Sequence, residues 1–253
     1  MSIFDEYASF YDVLYHDKKF AEEAEFVHKL IQECHPQAKT ILDFGCGTAN
    51  HALLLVNDYE ICGVDQSRKM IEKAEKKRAE ARADLKDRLS FVVADVRTLN
   101  LDRTFDVVLA MFHVMSYQTA NEDFAAALDA ARNHLEPGGL LIFDCWYGPA
   151  VLSERPMTKV KCVDATTGAI VRIAEPVMRL NDNVVDVNYQ LIACESGATR
   201  NVKEKHSMRY FFLPELSQFL KAANFRLIKS CELCSEREPG PDTWSICLAA
   251  VAA

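Results

Sequence analysis

The residues of this chain best suited to chemistry lie in ILDFGCGTAN, positions 41–50. Gly45 and Gly47 close an apolar run and carry no side chains, so backbone can approach a bound nucleoside derivative there. Asp43, two residues before the first glycine, can orient the loop and meet a ligand's cationic ammonium group. Asp65 comes twenty residues after Gly45, at the end of YEICGVD, where its carboxylate can accept hydrogen bonds from both hydroxyls of a ribose. Asp95, followed by Val96, closes LSFVVAD and can read an adenine amino group. Any one of these acids is an ordinary loop residue or helix cap. Three of them at successive segment ends, beside paired glycines, form the pattern of a nucleoside site.

A second group of residues can act on whatever faces that nucleoside. FHVMSYQ (112–118) brings His113 and Tyr117, either of which can take a proton or hold a nucleophile. CWYG (145–148) brings Trp146 and Tyr147 as an apolar wall or a stacking surface for a substrate ring. Tyr7, Tyr11 and Tyr15 recur every four residues and share one helix face, as a cover or as a packed aromatic stripe. In EKHSMRYFF (204–212), His206 and Tyr210 fall on one face of a strand and Arg209 on the other. Arg209 either binds an anionic substrate group or pairs with a neighbouring acid.

These residues need a scaffold that sets strand ends side by side. Helical spacing runs through 6–34 and stops before Pro36. KTILDFG (39–45), YEICGVD (59–65), LSFVVAD (89–95), FDVVLAMF (105–112) and GLLIFDCW (139–146) then read as strands. Helices at 51–57, at 68–83 with Ser67 as its cap, and at 121–135 separate them. That alternation predicts a doubly wound, mostly parallel α/β sheet. From 157 to 212 the chain turns to strand-like segments, with turn signals at Thr167-Gly168, Asn181-Asp182-Asn183 and Ser196-Gly197. Parallel strands would need crossover helices, so an antiparallel insertion of three or four strands is expected, outside the main sheet. A helix at 214–224 and strands at 225–234 and 243–252 complete seven strands. The chain reads as one domain over 1–253, with a helical cover at 1–36 and the insertion walling part of a substrate pocket.

Composition narrows the partners. A net charge of −8 argues against nucleic acid, which needs a clustered basic face. The basic-looking run from Arg68 to Arg88 holds nine Lys/Arg and five Asp/Glu at helical spacing, the pattern of a solvated helix. The opening residues lack a signal-peptide pattern, and no apolar stretch reaches membrane-helix length. Nine cysteines scattered through apolar strands suit a reduced, cytoplasmic protein. Cys231 and Cys234 form a lone Cys-x-x-Cys without a second ligand pair, so no metal is expected. The partner is then a small molecule, with a homodimer compatible.

In its motifs the chain resembles the class I S-adenosylmethionine-dependent methyltransferases. The likeness covers 39–146 and 213–252: hydrophobic-Asp-x-Gly-x-Gly at 41–47, the acid at 65, Ala94-Asp95, and Pro137-Gly138-Gly139 before the fifth strand. It implies a Rossmann-like methyltransferase fold and S-adenosylmethionine as cofactor. Asp43, Gly45 and Gly47 would border its methionine part, Asp65 its ribose, and Gln66, Met70, Asp95 and Val96 its base. Met111 to His113 would lie beside the sulfonium. The opening FDEYASFYDVLYHDK and the insertion resemble a small-molecule subgroup that includes N-methyltransferases of nucleotide-linked amino sugars. There Tyr11 and Tyr15, in a YDxxY match, would cover the cofactor and border the substrate. The chain departs from that subgroup at Tyr117, near which those enzymes carry a histidine. Two other classes compete. A nicotinamide-dependent oxidoreductase would place a third glycine at position 50, which is Asn50 here. A non-catalytic nucleoside-binding module would keep the site without turnover.

Overall fold

The structure is a computed structural model that describes residues 7–165, 168–195 and 198–253. A 3₁₀ turn, Tyr7–Phe10, leads into α1 (Tyr11–Leu14) and then α2 (Phe20–Cys34). The alternating part follows as β1 (Thr40–Phe44), α3 (Asn50–Leu55), β2 (Glu60–Asp65), α4 (Arg68–Glu80), α5 (Ala83–Lys86), β3 (Leu89–Val93), β4 (Phe105–Ala110), α6 (Asn121–Asn133) and β5 (Leu135–Tyr147). Next come α7 (Gly148–Glu154) and four long strands, β6 (Lys159–Ala165), β7 (Gly168–Arg179), β8 (Val184–Glu195) and β9 (Ala198–Phe211). The chain ends with α8 (Leu213–Ala222), β10 (Phe225–Glu232) and β11 (Ser245–Ala252).

Strands β3, β2, β1, β4 and β5 lie in that order and are parallel, while β11 and β10 add two antiparallel neighbours beyond β5. Side chains alternate across the sheet, and both faces are apolar. Ile41, Val107, Leu109 and Ile142 pack with Val27, Leu30 and Ile31 of α2 and Leu55 of α3. Leu42, Phe44, Val108 and Phe143 meet Phe124 and Leu128 of α6 and Leu216 and Leu220 of α8. Each such fully buried aliphatic or aromatic side chain contributes about 1.5–3 kcal/mol. Ser67 caps α4 as its sequence suggests, its hydroxyl accepting from the Met70 amide at 3.4 Å. The expected doubly wound, mostly parallel α/β class is the observed one, but among the described residues the sheet has eleven strands where seven were expected.

Two expectations change. The helix predicted across 6–34 is broken after Leu14. Lys161 of β6 donates to the Leu14 carbonyl at 2.7 Å and to Asp17 at 2.5 Å, so a tertiary lysine terminates α1 where periodicity would continue it. The insertion forms the expected antiparallel meander, but it does not stand apart. The β9 strand pairs in parallel with β5 at Trp146–Tyr210 and Tyr147–Phe211, joining the four strands to the main sheet. The Asn181-Asp182-Asn183 turn is present, with Asn183 at φ +54°. Thr167, Ser196 and Gly197, of the other two turn signals, lie outside the described residues. The 3₁₀ turn at Val114–Tyr117 and helix α7 had no sequence signal.

Candidate active site

One cavity of about 740 Å³ lies at the carboxyl ends of β1, β2, β3, β4 and β5. Its floor is the turn after β1, where Gly45 and Gly47 adopt φ +65° and +54°, a region other residues enter only with strain. A Cβ on Gly45 would come within 2.4 Å of Val114 Cγ2, so this turn and the one after β4 interlock. A Cβ on Gly47 would project beneath the Tyr11 hydroxyl, 4.0 Å away. Asp65 organises the turn: Oδ2 accepts from the Gly47 amide at 3.0 Å and Oδ1 from the Ser67 amide at 2.8 Å. Burial raises its carboxyl and the two amides only partly offset this. Each oxygen keeps a lone pair for one more donor, as a ribose diol requires.

The roof is α1 and the chain after it. Tyr11 and Tyr15 lie 4.9 Å apart, centroid to centroid, and both line the cavity. Tyr7 is fully buried and packs on His206 at 5.5 Å, so it is the packed member of the tyrosine stripe. What fixes the roof is Asp12, between the tyrosines. Its Oδ1 accepts from Thr48 Oγ1 at 2.7 Å and from Lys77 Nζ at 2.8 Å, tying α1 to the glycine turn and to α4. Burial raises this carboxyl, and Lys77 and Thr48 outweigh it, leaving the net shift downward.

On the base side, Gln66, Met70, Asp95 and Val96 all reach the cavity. Asp95 lies two residues beyond the end of β3 and is forked by Arg97, whose Nε is 2.9 and 3.1 Å from its two oxygens. That pairing holds the Asp95 carboxyl below its usual range.

The far side carries the reactive candidates. Met111, Phe112, His113 and Val114 line it, with Tyr117 and Trp146. Phe112 and His113 both sit at φ +65°, worth of order 1–3 kcal/mol of strain each. Asp144 of β5 holds the kink: its Oδ1 accepts from the His113 amide at 2.8 Å, and its Oδ2 lies 2.7 Å from His113 Nδ1. Ser245 donates to the same carboxylate at 3.0 Å. Asp144 has no exposed surface; burial raises its carboxyl, but the His113 ring, the His113 amide and the Ser245 hydroxyl together lower it. The Tyr117 hydroxyl is 2.9 Å from His206 Nδ1, and His206 Nε2 is 3.1 Å from Glu204. Burial, then the neighbouring tyrosines, push the Tyr117 phenol well above its normal value.

Three candidate residues stand off the cavity. Asp43 shares the β1 face that packs on α3, where it is 3% exposed, and burial pushes its carboxyl up to about 7. Tyr147 alternates away from Trp146 and packs against the α6–α8 core. Arg209, on the reverse face of β9 from His206, is ion-paired with Glu215 and donates to the Thr119 carbonyl at 3.4 Å. It is therefore the acid-paired arginine, with no reach into the cavity. Sequence reading missed Asp144 and the insertion's Lys159, Arg172 and Tyr189, all three of which line the cavity. Cys231 is buried on β10 and Cys234 lies beyond the strand. Among the described residues no three His, Cys, Asp or Glu side chains converge as metal ligands would.

Known proteins match this architecture. The methyltransferase domain family matches residues 41–139, which span the glycine turn, Asp65, Asp95 and the kink after β4. A dTDP-3-amino-3,4,6-trideoxy-alpha-D-glucopyranose N,N-dimethyltransferase of Streptomyces venezuelae is 25% identical over 88% of this chain and 91% of its own. A dTDP-3-amino-3,6-dideoxy-alpha-D-glucopyranose N,N-dimethyltransferase of Streptomyces fradiae is 23% identical over 86% of this chain and 83% of its own. An S-adenosylmethionine-dependent methyltransferase from Clostridium acetobutylicum superposes with a TM-score of 0.84 at 21% identity, covering 99% of both chains. The glycine turn, a ribose-ready acid and an aromatic roof fit S-adenosylmethionine, with Gly45, Gly47, Asp65, Gln66 and Met70 placed to hold it. The chain thus carries a methyltransferase domain over residues 41–139 and is similar along most of its length to N,N-dimethyltransferases.

Proposed function

We propose that this methyltransferase N-methylates a nucleotide-linked amino sugar. The observation that carries the reading is the continuity of the cavity: it runs from the glycine turn past His113 to an insertion wall built from Lys159, Arg172 and Tyr189. That wall lies outside the shared methyltransferase domain, yet the likeness to the dTDP-amino-sugar enzymes extends over most of the chain.

When bound, S-adenosylmethionine supplies an electrophilic methyl group, and the chain's residues do the rest. Phe112, Trp146 and the roof tyrosines exclude water and hold an acceptor in line, and such positioning supplies up to about 7–11 kcal/mol in favourable systems. A sugar ammonium must lose its proton before the nitrogen can attack. His113 is suited to receive it, because with Nδ1 set against Asp144 the ring nitrogen left to accept a proton is Nε2. Tyr117, whose phenol is strongly held in its protonated form, serves as a donor toward His206 and not as a base. The same reading has the enzyme working on small molecules in the cytoplasm, away from nucleic acid. The net charge of −8 supports it, and no helix among the described residues is long and apolar enough to cross a membrane.

The test is to incubate the protein with labelled S-adenosylmethionine and a panel of dTDP-amino sugars, the free amino sugars and their hydroxyl analogues. Label should appear on the amine of a nucleotide-linked sugar, read by mass spectrometry. Transfer only to a hydroxyl, or only to free sugars, would overturn the reading.

A further inference from the structure

The insertion turns one face toward the cavity, and the strand register identifies it. Lys161, Arg172, Leu191 and Val202 form one cross-strand row, and Lys159, Ala174, Tyr189 and Glu204 form the next on the same face. These two rows carry three cations. Lys161 is neutralised by Asp17 at 2.5 Å. Glu204, the acid in these two rows, is engaged by the Tyr7 amide at 3.0 Å and by His206. Among the described residues, neither Lys159 nor Arg172 has a carboxylate within 4.0 Å.

Arg172 is the more telling. It is partly buried in the cavity wall, over the rings of Tyr15 and Tyr189 at 5.6 and 5.5 Å. Its Nη1 reaches only two phenols, Tyr7 and Tyr15, each at 3.3 Å. Its Nε–H is buried and has no hydrogen-bond partner. A half-buried guanidinium with an idle donor and no counter-ion is unfavourable until an anion arrives. Its fork matches a phosphate edge, and Lys159 adds a mobile point charge for a second anionic group. We infer that Arg172 and Lys159 form an anion subsite that takes the diphosphate of a nucleoside diphosphate, on the side of the cavity opposite the glycine turn. The inference rests on the acceptor proposed above and specifies how its charged part is held. It also supplies what Arg209 cannot, since that arginine is committed to Glu215.

The experiment titrates the full chain, saturated with the demethylated cofactor, by calorimetry. The probes are thymidine diphosphate, inorganic pyrophosphate, thymidine, and citrate as a carboxylate control. Both phosphate probes should bind, and thymidine and citrate should bind at least about tenfold more weakly than thymidine diphosphate. Arg172→Gln should weaken thymidine diphosphate by about tenfold or more, and well beyond any change in cofactor affinity. Lys159→Ala, at an exposed strand start, should weaken it several-fold with an unchanged melting temperature, which keeps the test decisive if the arginine variant fails to fold. Failure of the wild type to bind diphosphates, or equal binding by both variants, would overturn the subsite and leave Arg172 as a tie between roof and insertion. Arginine-dependent diphosphate binding without amine methylation would refute the acceptor and leave the subsite standing. Methylation of a nucleotide-linked amine at unchanged KM in both variants would do the reverse.

Discussion

At the scale of the residue, His113 concentrates the questions about chemistry. A lone histidine is usually structural, but this one sits on a strained kink in the cavity, with its ring nitrogen 2.7 Å from a carboxylate that has no exposed surface. Asp144 does two jobs there, holding the backbone amide and facing Nδ1. If His113 takes the acceptor's proton, His113→Ala should lower kcat by about 10²-fold or more while cofactor affinity changes little. Asp144→Asn should lower kcat less, because the carboxylate 2.7 Å from Nδ1 no longer orients the ring. A variant pair with reduced melting temperature, intact kcat and an unchanged pH profile would make His113 a packing residue and nothing more.

At the scale of the element, β9 shows how one strand separates chemistry from support. His206 and Met208 face inward, whereas Arg209 crosses to α8, meets Glu215 and lies over the rings of Phe211 and Phe219 at 4.7 and 5.7 Å. Removing one partner of a buried pair leaves the other charge uncompensated, which costs about 3–5 kcal/mol. The Glu215 side chain is one-fifth exposed, so solvent screening trims that cost to its lower end or just below. Arg209→Met should therefore cut stability by about 2–3 kcal/mol in denaturant unfolding while acceptor KM stays within about twofold. A large rise in KM at wild-type stability would return Arg209 to the substrate site. The YDxxY segment carries the same lesson: its two tyrosines face the cavity, while Asp12 fastens the helix to Thr48 and Lys77.

At the scale of the whole molecule, stability should follow pH through Asp43. Burial first, and the nearby Asp65 charge, raise its carboxyl to about 7 from 3.8, against the pull of His51. The unfolded chain releases this proton near pH 4, but the folded chain keeps it until about 7. The folded state thus binds more protons across that window, and stability falls as pH rises from about 4 to 7, by up to about 4 kcal/mol, then levels off. Asp43→Asn should remove that slope. Melting curves of both proteins between pH 4.5 and 8 check it: parallel curves would mean that Asp43 ionises normally in the fold.

The features legible in sequence are the ones set by neighbours along the chain. A Gly-x-Gly turn, an acid at or just beyond the end of each of two strands and a helix–strand rhythm are local requirements, and they point to the carboxyl end of the sheet and to much of the cavity lining there. Antiparallel pairing of 157–212 was legible too, because the absence of crossover helices forbids parallel strands. Tertiary structure decided which distant groups meet. Lys161 ends α1 across 147 residues, Ser245 reaches Asp144 across 101, and Tyr117 meets His206 across 89. Strand register, which periodicity cannot supply, turned Lys159 and Arg172 toward the cavity and Arg209 away from it. A one-residue change in that register would exchange the two faces. The chemistry of the cofactor site is thus written in short-range spacing, whereas that of the acceptor site depends on how four long strands align.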